Sequence, residues 1–90
     1  MPFRQWPPNP TLTIIYVGGN SYNGTVHLQT AYVSGASITL ANLSDISENT
    51  IYYPFDGYYY DESGTNKISM PFTITSDTTI YARYRRGEHN

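Results

Sequence analysis

The sequence predicts a small, mainly β domain made of antiparallel strands with at most one short helical turn. Three observations carry this. Tyrosine is abundant, with 10 residues, while charged residues make up only 13% of the chain; aromatic and β-branched side chains suit a pleated, half-buried surface. Apolar residues recur at every second position in short runs, as at Leu12, Ile14 and Tyr16, the spacing that turns one face of a strand toward a core. Gly, Asn and Pro punctuate the chain between those runs, at Gly18-Gly19-Asn20, Asn23-Gly24 and Ser34-Gly35, and these residues mark turns.

The elements follow in order. Residues 1–10 read as an arm: Pro2, Pro7, Pro8 and Pro10 remove backbone donors and favour an extended conformation. Residues 11–86 form the β domain. Thr11–Val17 is a strand with Leu12, Ile14 and Tyr16 on one face. A second strand over residues 25–33 places Val26, Leu28, Thr30 and Tyr32 together, and the two make a hairpin. Residues 36–41 are a short extended segment with Ile38 and Leu40 inward. Residues 42–48 are the one candidate helical turn, with Ser44 as its cap. Residues 51–60 contain the motif strand, turned by residues 61–64. Pro71 interrupts the next extended stretch, which suggests an edge or a bend. Residues 78–85 form the last strand, with Ile80, Ala82 and Tyr84 on one face and Tyr81, Arg83 and Arg85 on the other. Residues 87–90 are a polar tail. Phe55, Ile80, Tyr84, Ile14 and Leu28 are the expected core.

Several function classes find no support. Five basic and seven acidic residues leave no basic footprint for nucleic acid. The longest apolar run, Ile14 to Val17, is far below the ~20 residues a spanning helix requires, so no membrane span is expected. Residues 1–7 lack the apolar segment of a secretory signal. There is no cysteine, and His27 and His89 sit in unrelated contexts, so neither a thiolate site nor a nucleophile with its base can be assembled. An enzyme is not expected. Asp61, Glu62, Ser63 and Asn66 crowd oxygen ligands into one loop. Their order does not match an EF-hand Ca²⁺ loop, and acidic turn residues are mostly turn formers. No metal and no cofactor are therefore expected.

Binding is the better expectation. The arm carries Phe3 and Trp6 beside Pro7 and Pro8, large rings that need a surface to lie on, which points to docking on a neighbouring subunit. Tyr58, Tyr59 and Tyr60 are adjacent, so Tyr59 faces away from the other two. With Tyr53 and Tyr81 it makes a candidate aromatic surface for a protein partner, or for stacking on a glycan.

The segment Tyr53-Pro54-Phe55-Asp56-Gly57-Tyr58-Tyr59-Tyr60-Asp61-Glu62-Ser63-Gly64-Thr65, with Phe72-Thr73-Ile74-Thr75 and Asp77-Thr78-Thr79-Ile80-Tyr81-Ala82-Arg83-Tyr84 after it, resembles the end of the Listeria–Bacteroides repeat, also called the internalin B-repeat. Phe55 and Gly57 stand at the family's Phe and Gly, and Tyr58 and Tyr84 stand where it usually has Trp. Both tyrosines keep an aromatic and add a hydroxyl that needs a hydrogen-bond partner. The resemblance implies a β-grasp-like module of Gram-positive surface proteins, with a structural or binding role. A single copy that opens on Met without a signal peptide fits a phage virion or decoration protein, which assembles without secretion. A bacterial adhesin repeat is the alternative, and a carbohydrate-binding module a further one. The expected location is thus a virion or an extracellular surface, within an oligomeric assembly.

Overall fold

The structure, a computed structural model, describes residues 9–89, with side chains through Gly87. Among the described residues nine strands follow one another: β1 (Thr11–Val17), β2 (Val26–Ala31), β3 (Ala36–Ile38), β4 (Ile46–Glu48), β5 (Ile51–Tyr53), β6 (Phe55–Tyr59), β7 (Phe72–Ile74), β8 (Thr78–Tyr84) and β9 (Glu88–His89). The class is mainly β, as the sequence predicts. One 3₁₀ turn, Asn20–Tyr22, sits between β1 and β2. Among the described residues, no helix is long and apolar enough to cross a membrane.

The main sheet has the order β2-β1-β8-β6. The β1–β2 hairpin is antiparallel, pairing Thr13 with Gln29 and Ile14 with Leu28. β8 then lies parallel to β1, with Ile14 beside Ile80 and Tyr16 beside Ala82. A parallel neighbour needs a long crossover rather than a tight turn, and everything between Gly18 and Asp77 serves as that crossover. β6 closes the far side, antiparallel to β8. Antiparallel strands were expected throughout, so the central parallel pair is a difference; local alternation carries no signal for it.

The ribbon β3–β7 covers one face of this sheet. Leu12 and Ile14 of β1, Ile80 and Ala82 of β8, and Tyr58 of β6 meet Ile38, Phe72 and Ile74 of the ribbon, with Ile68 beside them. The core is thus two layers sharing one apolar interior. The odd–even burial of Thr78–Tyr84 comes directly from the strand period. Phe55 and Leu28 were expected in this core. Both are only half-buried and pack against its rim, because Phe55 starts an outer strand and Leu28 lies on the edge strand.

The local elements differ in detail from the expectation. Residues 51–60 hold the expected strand as β6 and a second one, β5, because Pro54 offers no N–H to a ladder. β5 joins β4 and β9 in a separate three-stranded sheet, while β6 pairs with β8. Pro54 contributes its carbonyl instead, accepting a 2.8 Å bond from Arg85 N–H. Residues 42–48 contain no helical turn. Ile46–Glu48 is strand β4, joined to β5 through Asn49 and Thr50, whose φ angles are 52° and 64°. Two positive-φ residues make the tight hairpin loop that matches strand twist. The polar tail is likewise not free, since Glu88 and His89 pair in register with Tyr52 and Ile51.

Candidate interaction surface

The aromatic residues singled out from the sequence separate in space. Tyr59 and Tyr81 are register partners across β6 and β8. Tyr53 belongs to the other sheet, where it lines a groove with Gly19, Tyr84 and Arg85. Phe3, Trp6, Pro7 and Pro8 lie outside the described residues.

Tyr59 is not an exposed platform. It does point away from Tyr58, but its face of the sheet is also covered, and only 8% of its surface is exposed. Lys67 Nζ lies 5.9 Å and Arg83 Cζ 5.7 Å from its ring centre. Its hydroxyl donates to Asp56 Oδ2 at 2.9 Å, and that bond, with burial, raises its pKa. The cover comes from the chain after the 61–64 turn, which folds back on β6. Tyr60 N–H bonds Asn66 O, Ile68 N–H bonds Tyr58 O, and Tyr59 bridges Lys67. Gly57 adopts φ 149°, which side-chain-bearing residues rarely take, and the Lys67 side chain lies over it, with its Cε 2.8 Å from where a Cβ would sit. Tyr81 remains half-exposed.

The two tyrosines at the tryptophan positions find the partners their hydroxyls require. Tyr58 Oη donates to Ala41 O at 2.9 Å and Tyr84 Oη to Ser44 O at 3.1 Å. Phe55 stacks edge-on against both rings, with centroids at 5.2 and 5.3 Å. Burial is the main cause that raises both phenols, Tyr84 to about 12.

The acidic loop is a self-contained turn. Asp61 accepts bonds from Thr65 N–H at 3.0 Å, Thr65 Oγ1 at 2.6 Å, Asn66 N–H at 2.8 Å and Ser63 Oγ at 2.8 Å. Its oxygens are turned inward to these donors. The Thr65 hydroxyl, followed by the two backbone donors, holds its carboxyl far below the usual range. Asp45 is lowered by Phe55 N–H and the Tyr52 hydroxyl, and Glu48 by the hydroxyl and N–H of Ser21. His27 Nδ1 pairs with the Tyr16 hydroxyl at 2.9 Å.

These shifts set a pH dependence. A carboxylate with a depressed folded pKa contributes stability above its unfolded pKa of about 4, and loses it as pH falls toward the folded value. The melting temperature is expected to fall steadily below about pH 4, and less steeply in Asp61→Ala. The raised phenols act at the other end. Their stabilisation is complete below about pH 10 and is lost as pH rises toward the folded value of Tyr84. Thermal melts across pH 2 to 12 at matched ionic strength check both limbs; an acid limb unchanged in Asp61→Ala would show that the Asp61 turn contributes nothing.

One surface escaped the reading of motifs. No charged side chain occurs between Arg4 and Asp45, so the whole β1–β2 hairpin and β3 are charge-free. Within that stretch Val26 is 56% and Val33 70% exposed, and Tyr22 is also exposed. β2 is the outermost strand of the main sheet and has a neighbour on one side only among the described residues. The signal was present in the sequence as the uneven distribution of charge.

No family model, no curated protein and no solved structure matches this chain.

Proposed function

We propose that this protein is a non-enzymatic structural and interaction module of an exterior surface, a phage virion or decoration protein anchored by its N-terminal arm. The observation that carries the reading is the charge-free hairpin, with exposed Val26 on the edge strand of the main sheet and exposed Val33 just beyond its end. Apolar surface left in water along an open strand edge is suited to contact with protein. The kinship with the B-repeat is part of the proposal. It is supported by the convergence of Phe55, Tyr58 and Tyr84 into one ring cluster. The parallel β1–β8 pair at the centre of a mixed sheet supports the β-grasp relation.

Neighbouring genes test the setting. Capsid and tail genes are the expected outcome, whereas a long reading frame with a wall-sorting signal would make the chain an adhesin repeat. Deletion of residues 1–8 tests the anchor and leaves in place Pro10, which is buried and accepts the Tyr32 N–H bond. The truncated protein is expected to keep its β circular-dichroism spectrum and lose its place on the particle that retains the full chain. A truncated chain that unfolds would show that the arm packs into its own domain, and would overturn docking.

A carbohydrate-binding role is favoured by a different observation. A shallow groove of about 540 Å³ on the main sheet is lined by Thr11, Thr13, Gln29, Asp77 and Thr79. Hydroxyl, amide and carboxylate groups in one groove match the hydrogen bonding of a neutral sugar. Tyr81 follows Thr79 on the same face of β8. Binding on a glycan array that is lost in Thr13→Val would establish it, and an array without signal would remove it.

A further inference from the structure

We propose that the outer edge of β2 pairs with the same edge of a second copy of this chain, joining two main sheets into one across a two-fold axis. This deepens the interaction-module reading by naming a surface and a partner, and either can fail without the other.

The two edges of the main sheet are unlike. The β6 edge is closed by the chain itself, through the Tyr59–Lys67 bridge and the flanking bonds Tyr60 N–H to Asn66 O and Ile68 N–H to Tyr58 O. Lys67 adds a charge there. Among the described residues the β2 edge has neither device. Monomeric β proteins guard open edges with charged side chains, proline or bulges, and β2 carries no Asp, Glu, Lys, Arg or Pro. Among the described residues its guard is a bulge at His27, where Ile14 pairs with Leu28 but Ile15 with Val26. That bulge bends only the start of the strand and leaves the stretch from Leu28 to Ala31 in regular register, with Tyr32 continuing the pairing.

The free donors and acceptors can be located. Tyr32 N–H bonds Pro10 O, so even-numbered residues of this stretch face β1, and the backbone groups of Gln29 and Ala31 face outward. A closed β6 edge blocks head-to-tail stacking of main sheets, which leaves an isologous contact, β2 on β2, that closes at two copies. Two neutral strands meet antiparallel without like-charge repulsion. Exposed Val33, two residues beyond the strand, adds apolar contact. A contact of one strand is small, so the dimer is weak and concentration-dependent.

The test is sedimentation velocity on the full chain from about 10 µM to about 1 mM, with amide hydrogen exchange at Gln29 and Ala31. The expected result is a reversible monomer–dimer equilibrium, with both amides protected only at high concentration. Ala31→Pro removes an outward donor, and the double variant Gln29→Lys with Ala31→Lys brings like charges together. Each is expected to raise the dissociation constant roughly tenfold or more. The lysine variant controls for any misfolding of the proline one, since its substituted side chains are exposed. A chain that stays monomeric throughout overturns the proposal. So does a dimer unaffected by the lysine variant, which places the contact elsewhere. Amides protected even at 10 µM overturn it too, because the chain then covers its own edge.

Discussion

Ile80→Ala is expected to destabilise the domain by about 3–5 kcal/mol, toward the upper part of the range for removing a buried Ile. Ile80 is fully buried, at 0% exposure. It lies on β8, between β1 and β6, with Ile14 beside it across the parallel pair. Its side chain is directed at the ribbon, within the cluster that holds Leu12, Phe72 and Ile74. A cavity there has strands on both sides and cannot collapse without moving the sheet, so the cavity cost adds to the transfer cost. A domain of this size has a total stability near the low end of about 5–15 kcal/mol, so the variant is expected to be largely unfolded at 37 °C. Urea denaturation followed by circular dichroism gives the value. A loss below about 1 kcal/mol would mean that β8 is not central to the core. Phe55→Ala, at the rim, is expected to cost roughly half as much.

The second large effect is at Tyr84. Its ring stacks on Phe55 at 5.3 Å and lies 6.1 Å from the ring of Tyr16. Its hydroxyl reaches Ser44 O in the irregular stretch before β4. One side chain thus ties the last strand of the main sheet to the segment leading into the three-stranded sheet. Tyr84→Ala removes both attachments and is expected to cost about 3–5 kcal/mol. Tyr84→Phe removes only the hydroxyl and leaves Ser44 O without that donor, at about 1 kcal/mol. The two-variant series separates packing from hydrogen bonding. Equal losses in both would assign the effect to the hydroxyl, and Tyr84→Phe should also flatten the alkaline limb of the pH–stability profile.

The long strands were legible because their faces are written locally. Leu12 and Ile14, and Ile80, Ala82 and Tyr84, alternate with polar residues, and each is buried as that alternation requires. The turn at Asp61 was legible for a similar reason, since an aspartate can bond backbone donors a few residues ahead without help from the rest of the fold. The hydroxyl requirement of Tyr58 and Tyr84 was legible from residue chemistry alone, although their acceptors, Ala41 O and Ser44 O, were not. Tyr59 shows the limit. Alternation placed it opposite Tyr58, but whether that face met water depended on Lys67 and on Arg83 of a distant strand.

The sequence by itself determined the β class and the position and inward face of β1 and β8, because a period of two is a property of a single strand; the bulge at His27 breaks that period in β2 and leaves Val26 exposed. Only the tertiary structure decided the parallel union of β1 and β8, the division of residues 51–60 between two sheets, and the hairpin at Asn49 and Thr50. Strand partnership depends on contacts between residues remote in the chain. The positive φ of Thr50 goes against the local preference of a β-branched residue, so the pairing of β4 with β5 must hold it there. The open edge of β2 has the same origin: charge distribution was visible in the sequence, but only the sheet order makes an uncharged strand an edge.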